Sequence, residues 1–448
     1  MLIIIATIAG SAVASDPADW PITETELDNG LKIIILEDHS IPAVTVQIWY
    51  HVGSKNERPG ITGISHLFEH MMFKGSKSIK PEEHARIIRA NGGQSNAFTT
   101  SDMTVFHETL GNEKLSLALS LEAERMENLT IDEKNLESER QVVLEERGLR
   151  IDNHPLAPIV EQLFATAFNA HPYSWHVIGW RSDIESITLE DCRNHFDTYY
   201  TPNNATVVIA GDVKTEDAVK LVNKYFGHIP RGVDPPRPHT IEPMQRGERR
   251  VKFHKQAQLP VFIAGYHIPE ILNKDTYALE VMAKVFSAGQ SSRAYKRLVY
   301  DEQTCIAAGG KLDIREDPSL FYVYAVMTPG HFTDEAEKAL YEELDRLKNE
   351  PLTEYELQKA KNQIEAEFIE EIQSIEKKAE ILGYYEIITG DYRNIFGKLE
   401  KTMAVTADDV MRVAKKYLDP WNRTVVTLIP EQPQGDMEHD LQKKGNMQ

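Results

Sequence analysis

With 448 residues, 41% of them hydrophobic and 26% charged, the chain is long enough for two domains with full cores. Its formal charge of -20 argues against nucleic-acid binding, since polyanions would be repelled, and weakly favours basic peptides through long-range attraction. Cys192 and Cys305 are the only cysteines and fall in different halves, so a disulfide framework is excluded and neither looks like a zinc ligand.

Residues Met1 to Ala14 form an apolar run without a charged side chain, and Ala12-Val13-Ala14 resembles a small-residue cleavage site before Ser15. Residues 1–14 read as a signal peptide whose n-region is atypical in lacking Lys and Arg, which implies a periplasmic or secreted protein. The run is too short to span a bilayer. A mitochondrial presequence would be Arg-rich and amphipathic, and no other segment is long and apolar enough for a membrane helix.

The next element carries chemistry. In His66-Leu67-Phe68-Glu69-His70, two imidazoles stand four residues apart with a carboxylate between them. On a helix such residues lie about 5–6 Å apart on one face, close enough for both rings to reach one zinc ion at about 2.0–2.1 Å. Glu69 shares that side but points to one flank of the metal, the place for a general base. Thr62 and Ser65 are expected N-terminal caps, Leu67, Phe68, Met71, Met72 and Phe73 supply an apolar body, and Gly75 can end the helix. The motif predicts a metallopeptidase with one Zn2+ per chain.

Beyond it, Gly92-Gly93 closes a helix begun near Pro81. Gln94 to Thr100 and Met103 to Leu110, joined through Ser101-Asp102, read as a hairpin. Thr130 and Glu133 form a capping box opening a helix through about Arg150. Glu139 and Glu146 fall seven residues apart on one of its faces, and spacing alone leaves Glu145 and Glu146 both open as a third ligand.

An internal repeat follows. Thr188-Leu189-Glu190-Asp191 precedes Tyr199-Tyr200-Thr201-Pro202-Asn203-Asn204 and a β-branched run, and Thr406-Ala407-Asp408-Asp409 precedes Tyr417-Leu418-Asp419-Pro420-Trp421-Asn422 and another, at a constant offset of 218 residues. Each copy is a Thr-capped helix, a Pro-Asn turn and a strand, which predicts two homologous α+β domains, each an antiparallel-rich sheet packed on helices. Pro230, Pro235, Pro236, Pro238 and Pro243 mark a linker over residues 230–249. The domains are thus 15–229, catalytic and zinc-binding, and 250–432, homologous and without the His-x-x-Glu-His motif, followed by a polar tail, 433–448. A long helix from Thr353, with Glu356 as capping partner, is charged throughout and expected to face solvent.

Gly53-Ser54 before the motif, Met71-Met72-Phe73-Lys74-Gly75-Ser76 after it, and Glu139-Arg140-Gln141-Val142-Val143-Leu144-Glu145-Glu146 together resemble the insulinase/pitrilysin family of inverted zincins, in the branch of the mitochondrial processing peptidase. The resemblance covers nearly the whole mature chain. It implies Glu146 as the third zinc ligand, with Glu139 behind the ligands to orient one or balance charge. It also implies that Asn96-Ala97-Phe98-Thr99 is an open edge strand that pairs with substrate backbone, with Phe98 either lining a side-chain pocket or packing in the sheet. In the family two such units close face to face around a chamber, so a dimer is implied. The second unit usually supplies an Arg and, seven residues later, a Tyr. After Ser291-Ser292-Arg293-Ala294-Tyr295 those positions here are Val299 and Ile306. The expected partner is therefore a homologous zinc-less chain that carries the pair, with a homodimer as the second arrangement. The implied activity is an endopeptidase acting on short or unfolded peptides, and the alternative is a non-catalytic assembly subunit of the same fold. Intact His66, Glu69, His70 and Glu146 favour the enzyme.

Overall fold

The structure is a computed structural model that describes residues 17–431, so the signal peptide expected at 1–14 and the tail expected at 433–448 both lie outside the described residues. Strands β1 (Ile22–Glu26), β2 (Lys32–Glu37), β3 (Ala43–Tyr50), β4 (Gln94–Thr99), β5 (Thr104–Gly111) and β6 (Ala205–Gly211) form one sheet in the order β1-β2-β6-β3-β5-β4. Strands β7 (Arg249–Gln256), β8 (Val261–Ile268), β9 (Cys305–Asp313), β10 (Ser319–Met327) and β11 (Arg423–Glu431) form a second, in the order β7-β11-β8-β10-β9. In each sheet one neighbouring pair is parallel, β2 with β6 and β7 with β11, and the other pairs are antiparallel. The duplication is therefore exact in topology from β2 and β7 onward, and β4 and β9 are matching edge strands.

The repeated signature folds as its residues dictate. Thr188 and Thr406 cap helices Leu189–Tyr199 and Ala407–Tyr417, each exchanging hydrogen bonds with the Asp three residues on, and the Pro turns lead into β6 and β11. Helix Glu354–Glu371 opens on the Thr353–Glu356 box and buries only Ala360, Ile364 and Phe368. Cys192 and Cys305 are buried free thiols.

The sheets are apolar on both faces, so each needs two covers. In the first half Ile33, Ile35, Val46 and Ile48 pack with helix Ile64–Met71 and its neighbours, while Ile34, Leu36, Trp49 and Val208 face helix Ile375–Thr389 from the second half. Conversely, Val261, Ile263, Tyr322 and Val426 of the second sheet pack on helix Ala157–Ala167 from the first half. Each half thus lends a helix to the other's sheet, which fixes their mutual orientation. Lys55, 3% exposed, reinforces the junction by reaching Asp102 at 3.0 Å, Glu316 at 2.7 Å and Asp317 at 3.0 Å, two of them across the halves.

Gly383 permits the first of these exchanges, because a Cβ there would lie 2.2 Å from Trp49 Cε2. Gly383→Ala is expected to destabilise the protein by at least about 1–3 kcal/mol, the usual cost of overpacking. Chemical denaturation reads this directly, and an unchanged midpoint would mean that the helix is not seated on Trp49. Among the described residues no helix is long and apolar enough to cross a membrane.

Candidate metal centre and substrate cleft

Helix Ile64–Met71 carries the motif, with its His66, Leu67 and Phe68 buried. Its start differs from the sequence expectation. The N-cap is Gly63 at φ 91°, with no side-chain cap, and its missing Cβ would strike Ile178 O at 2.4 Å. Thr62 instead donates to Asp183 at 2.8 Å and Ser65 to the Gly53 carbonyl at 3.1 Å. The helix's free amides are met from outside by Glu57, whose carboxylate accepts Gly63 N–H at 2.8 Å and Ser65 N–H at 2.9 Å. Burial outweighs these amide hydrogen bonds and pushes the Glu57 carboxyl up to about 8. The helix stops at Met71, before Gly75.

Helix Glu133–Arg147 packs alongside. Its cap is Asp132, whose side chain accepts from Asn135 N–H, and Thr130 takes no part in it. A π-helical turn, Gly148–Asp152, extends it. Of the two candidate carboxylates, Glu145 is exposed on another flank, while Glu146 faces the histidines, its Oε2 lying 3.1 Å from His70 Nε2 and 3.7 Å from His66 Nε2. The two rings meet edge-on at 4.9 Å between centroids. Glu139 stands behind His70, its Oε2 3.8 Å from Nδ1, and is held by Lys74 at 3.0 Å.

Electrostatics prepare these groups. Burial first, then His70, holds the His66 imidazole below its ordinary value, so the ring is neutral and can offer a lone pair. The hydrogen bond with His70, ahead of other contributions, lowers Glu146 and keeps it ionised. Burial raises the Glu69 carboxyl although Thr99 Oγ1 donates to it at 2.7 Å, so Glu69 is a stronger base than an exposed glutamate. Two imidazoles and a carboxylate, converging on one point with a second carboxylate beside them, form a donor set suited to zinc with open positions.

These residues line a cavity of about 720 Å³ together with Asn96, Ala97, Phe98 and Thr99. Strand β4 pairs with β5, as the hairpin reading requires, and its other edge is open along the cleft. Val299 packs in the second half's core and Ile306 lies on β9, 54% exposed, so neither is a polar donor.

Sequence reading missed three polar residues of the cleft. Arg150 Nε lies 3.0 Å from Glu146 Oε1, a contact its four-residue spacing made legible. His176 accepts Ile178 N–H on Nδ1 at 3.2 Å, which leaves its proton on Nε2, and desolvation followed by the charges of Arg147 and Arg315 holds it down to about 4. Arg315 enters from the second half, donating to Ser101 Oγ at 2.7 Å over the ring of Tyr173. No local pattern announces the last two. A further trio of metal-type side chains, His84, Glu108 and Glu122, is closed within the core, where Arg125 Nε donates to Glu122 at 2.9 Å. It forms a charge network with no face toward the cleft.

Residues 32–180 match the family model "Insulinase (Peptidase family M16)" and residues 186–364 the model "Peptidase M16 inactive domain". The zinc protease PqqE of Helicobacter pylori is 32% identical over 409 residues, 90% of this chain and 92% of that one. The chain belongs to the insulinase family of peptidases, M16. The inactive-domain match begins within the first half, beyond its histidine motif, and runs on into the second half, which lacks the motif. The zinc protease YmxG of Bacillus subtilis, whose name is qualified as uncharacterized, is 26% identical over 396 residues, 87% of this chain and 93% of that one. The crystal structure of a protease from Helicobacter pylori superposes with a TM-score of 0.88 at 32% identity, covering 92% of this chain and all of that one. The periplasmic protease PqqL from Escherichia coli shares the fold at TM-score 0.75 and 17% identity, with 92% of this chain matching 48% of that one.

Proposed function

We propose that the chain is a zinc-dependent endopeptidase in which His66, His70 and Glu146 hold one Zn2+ and Glu69 is the general base. The observation that carries this reading is the convergence of those three donors beside Glu69 and along an open edge strand. Zinc bound there would supply Lewis acidity to a scissile carbonyl and to water. Glu69, raised by burial and aimed by Thr99, is placed to take a proton from an attacking water and to return it to the leaving amine. Glu139 fixes His70 from behind with Lys74 balancing its charge. Asn96 to Thr99 bind the substrate as an added strand, so backbone hydrogen bonds hold short or unfolded peptides with little sequence preference. The intact donor set speaks against a non-catalytic assembly subunit.

A developing oxyanion needs donors opposite the metal, and Val299 and Ile306 offer none. The working form is therefore a heterodimer, closed around a chamber, with a homologous zinc-less chain that carries the Arg/Tyr pair. The apolar N-terminal run and the periplasmic PqqL fold relative support export to the periplasm. The purified chain should hydrolyse an extended quenched-fluorescence peptide slowly, lose that activity to a chelator, regain it with zinc, and rise to full rate only with the partner. Chelator-resistant hydrolysis would contradict the metal's role. Full activity from the isolated chain would contradict the heterodimer.

A further inference from the structure

Behind the cleft, on the face of the first sheet opposite the zinc-motif helix, lies a second cavity of about 620 Å³. It adjoins the cleft, sharing Phe98, Thr100, Met103, Ile314 and Tyr384 as lining. Its volume is within the range of about 300–1,000 Å³ usual for ligand sites. One wall is the first half's Trp49 and Phe98, in edge-to-face contact at 5.9 Å. The opposite wall is the second half's Tyr384, in edge contact with Tyr385 at 5.6 Å. At its base Lys398 lies 3.3 Å from Glu280 Oε1, while Glu280 Oε2 is buried without a hydrogen-bond partner.

Strand geometry connects this cavity to the substrate. Successive side chains of a strand point to opposite faces, and β4 shows it, since Ala97 joins the cluster around the zinc-motif helix and Phe98 the cluster under helix Ile375–Thr389. A peptide added along the open edge of β4 alternates in the same way. Every second side chain then faces away from the metal and arrives beside Phe98. Rings on both walls favour another ring there, in edge or offset contact.

We propose that this cavity is a specificity pocket that receives a bulky aromatic side chain of the substrate, so that the half without the zinc motif selects what the other half cleaves. This rests on the peptidase reading in that the occupant arrives on a strand paired with β4.

The test uses extended alanine-rich peptides in which a single Tyr is moved one position at a time. Their affinities are measured on the full zinc-loaded Glu69→Gln chain and their kcat/KM on the wild type. Tyr should improve binding by about tenfold over Ala, and only at alternate positions. Tyr384→Ala, which opens the pocket, and Ile314→Trp, which fills it, should each bring that ratio close to one. Both residues are partly exposed, which favours folding of the variants. A preference retained in both variants, or no dependence on position, overturns the pocket. If the Glu69→Gln chain shows the alternating preference while the wild type cleaves none of the peptides, the pocket stands and the peptidase reading fails.

Discussion

Glu69→Gln is expected to lower kcat by about 10²–10⁴-fold, the usual contribution of a positioned general base, while zinc content and KM stay near wild type. The substitution is nearly isosteric, and Glu69 is not one of the three converging donors. Its Oε2 accepts a hydrogen bond from Thr99 Oγ1, and the amide oxygen of Gln can accept the same bond, so side-chain placement survives and only the proton acceptor is lost. Metal analysis beside single-peptide kinetics checks both halves of the statement. Wild-type turnover in Glu69→Gln would mean that another group takes the proton, and loss of zinc would mean that Glu69 is a ligand.

The second large effect concerns affinity for the metal. Glu146→Gln removes the charged member of the donor set, and zinc binding should fall further than for any other single glutamate. Glu139→Gln should cost about 10–100-fold, because it takes the charged partner from behind His70 and leaves Lys74 to Glu82 alone. Glu145→Gln should have no effect, since Glu145 is exposed and lines a separate groove with Glu137 and Gln141. Competition titrations against a chelator rank the three. A larger loss at Glu145 than at Glu146 would contradict the assignment.

Much of the centre was legible because helical spacing alone sets His66, Glu69 and His70 on one side of a helix. The third carboxylate was not fixed by spacing. Glu145 and Glu146 point in directions about 100° apart around the helix axis, and only the packing of helix Glu133–Arg147 on the motif helix decides which faces the histidines. The caps failed for a related reason. Thr62 and Ser65 have the right chemistry, but their hydroxyls are taken by Asp183, far along the chain, and by the Gly53 carbonyl, and Glu57 meets the free amides instead. In the later helix, Asp132 displaced Thr130 as cap. The repeat was legible because its capping boxes and Pro turns are local. The exchange of helices Ala157–Ala167 and Ile375–Thr389 between sheets was not, since an apolar face announces burial without naming what covers it.

The central claim is that one zinc ion and one extended peptide meet in this cleft. Diffraction at the zinc absorption edge from crystals of the Glu69→Gln chain grown with a bound peptide tests it most directly. The account predicts a single anomalous peak between His66, His70 and Glu146, with the peptide lying as an added strand along the open edge of β4. A peak elsewhere, no peak at full zinc loading, or a peptide bound away from β4 would contradict it.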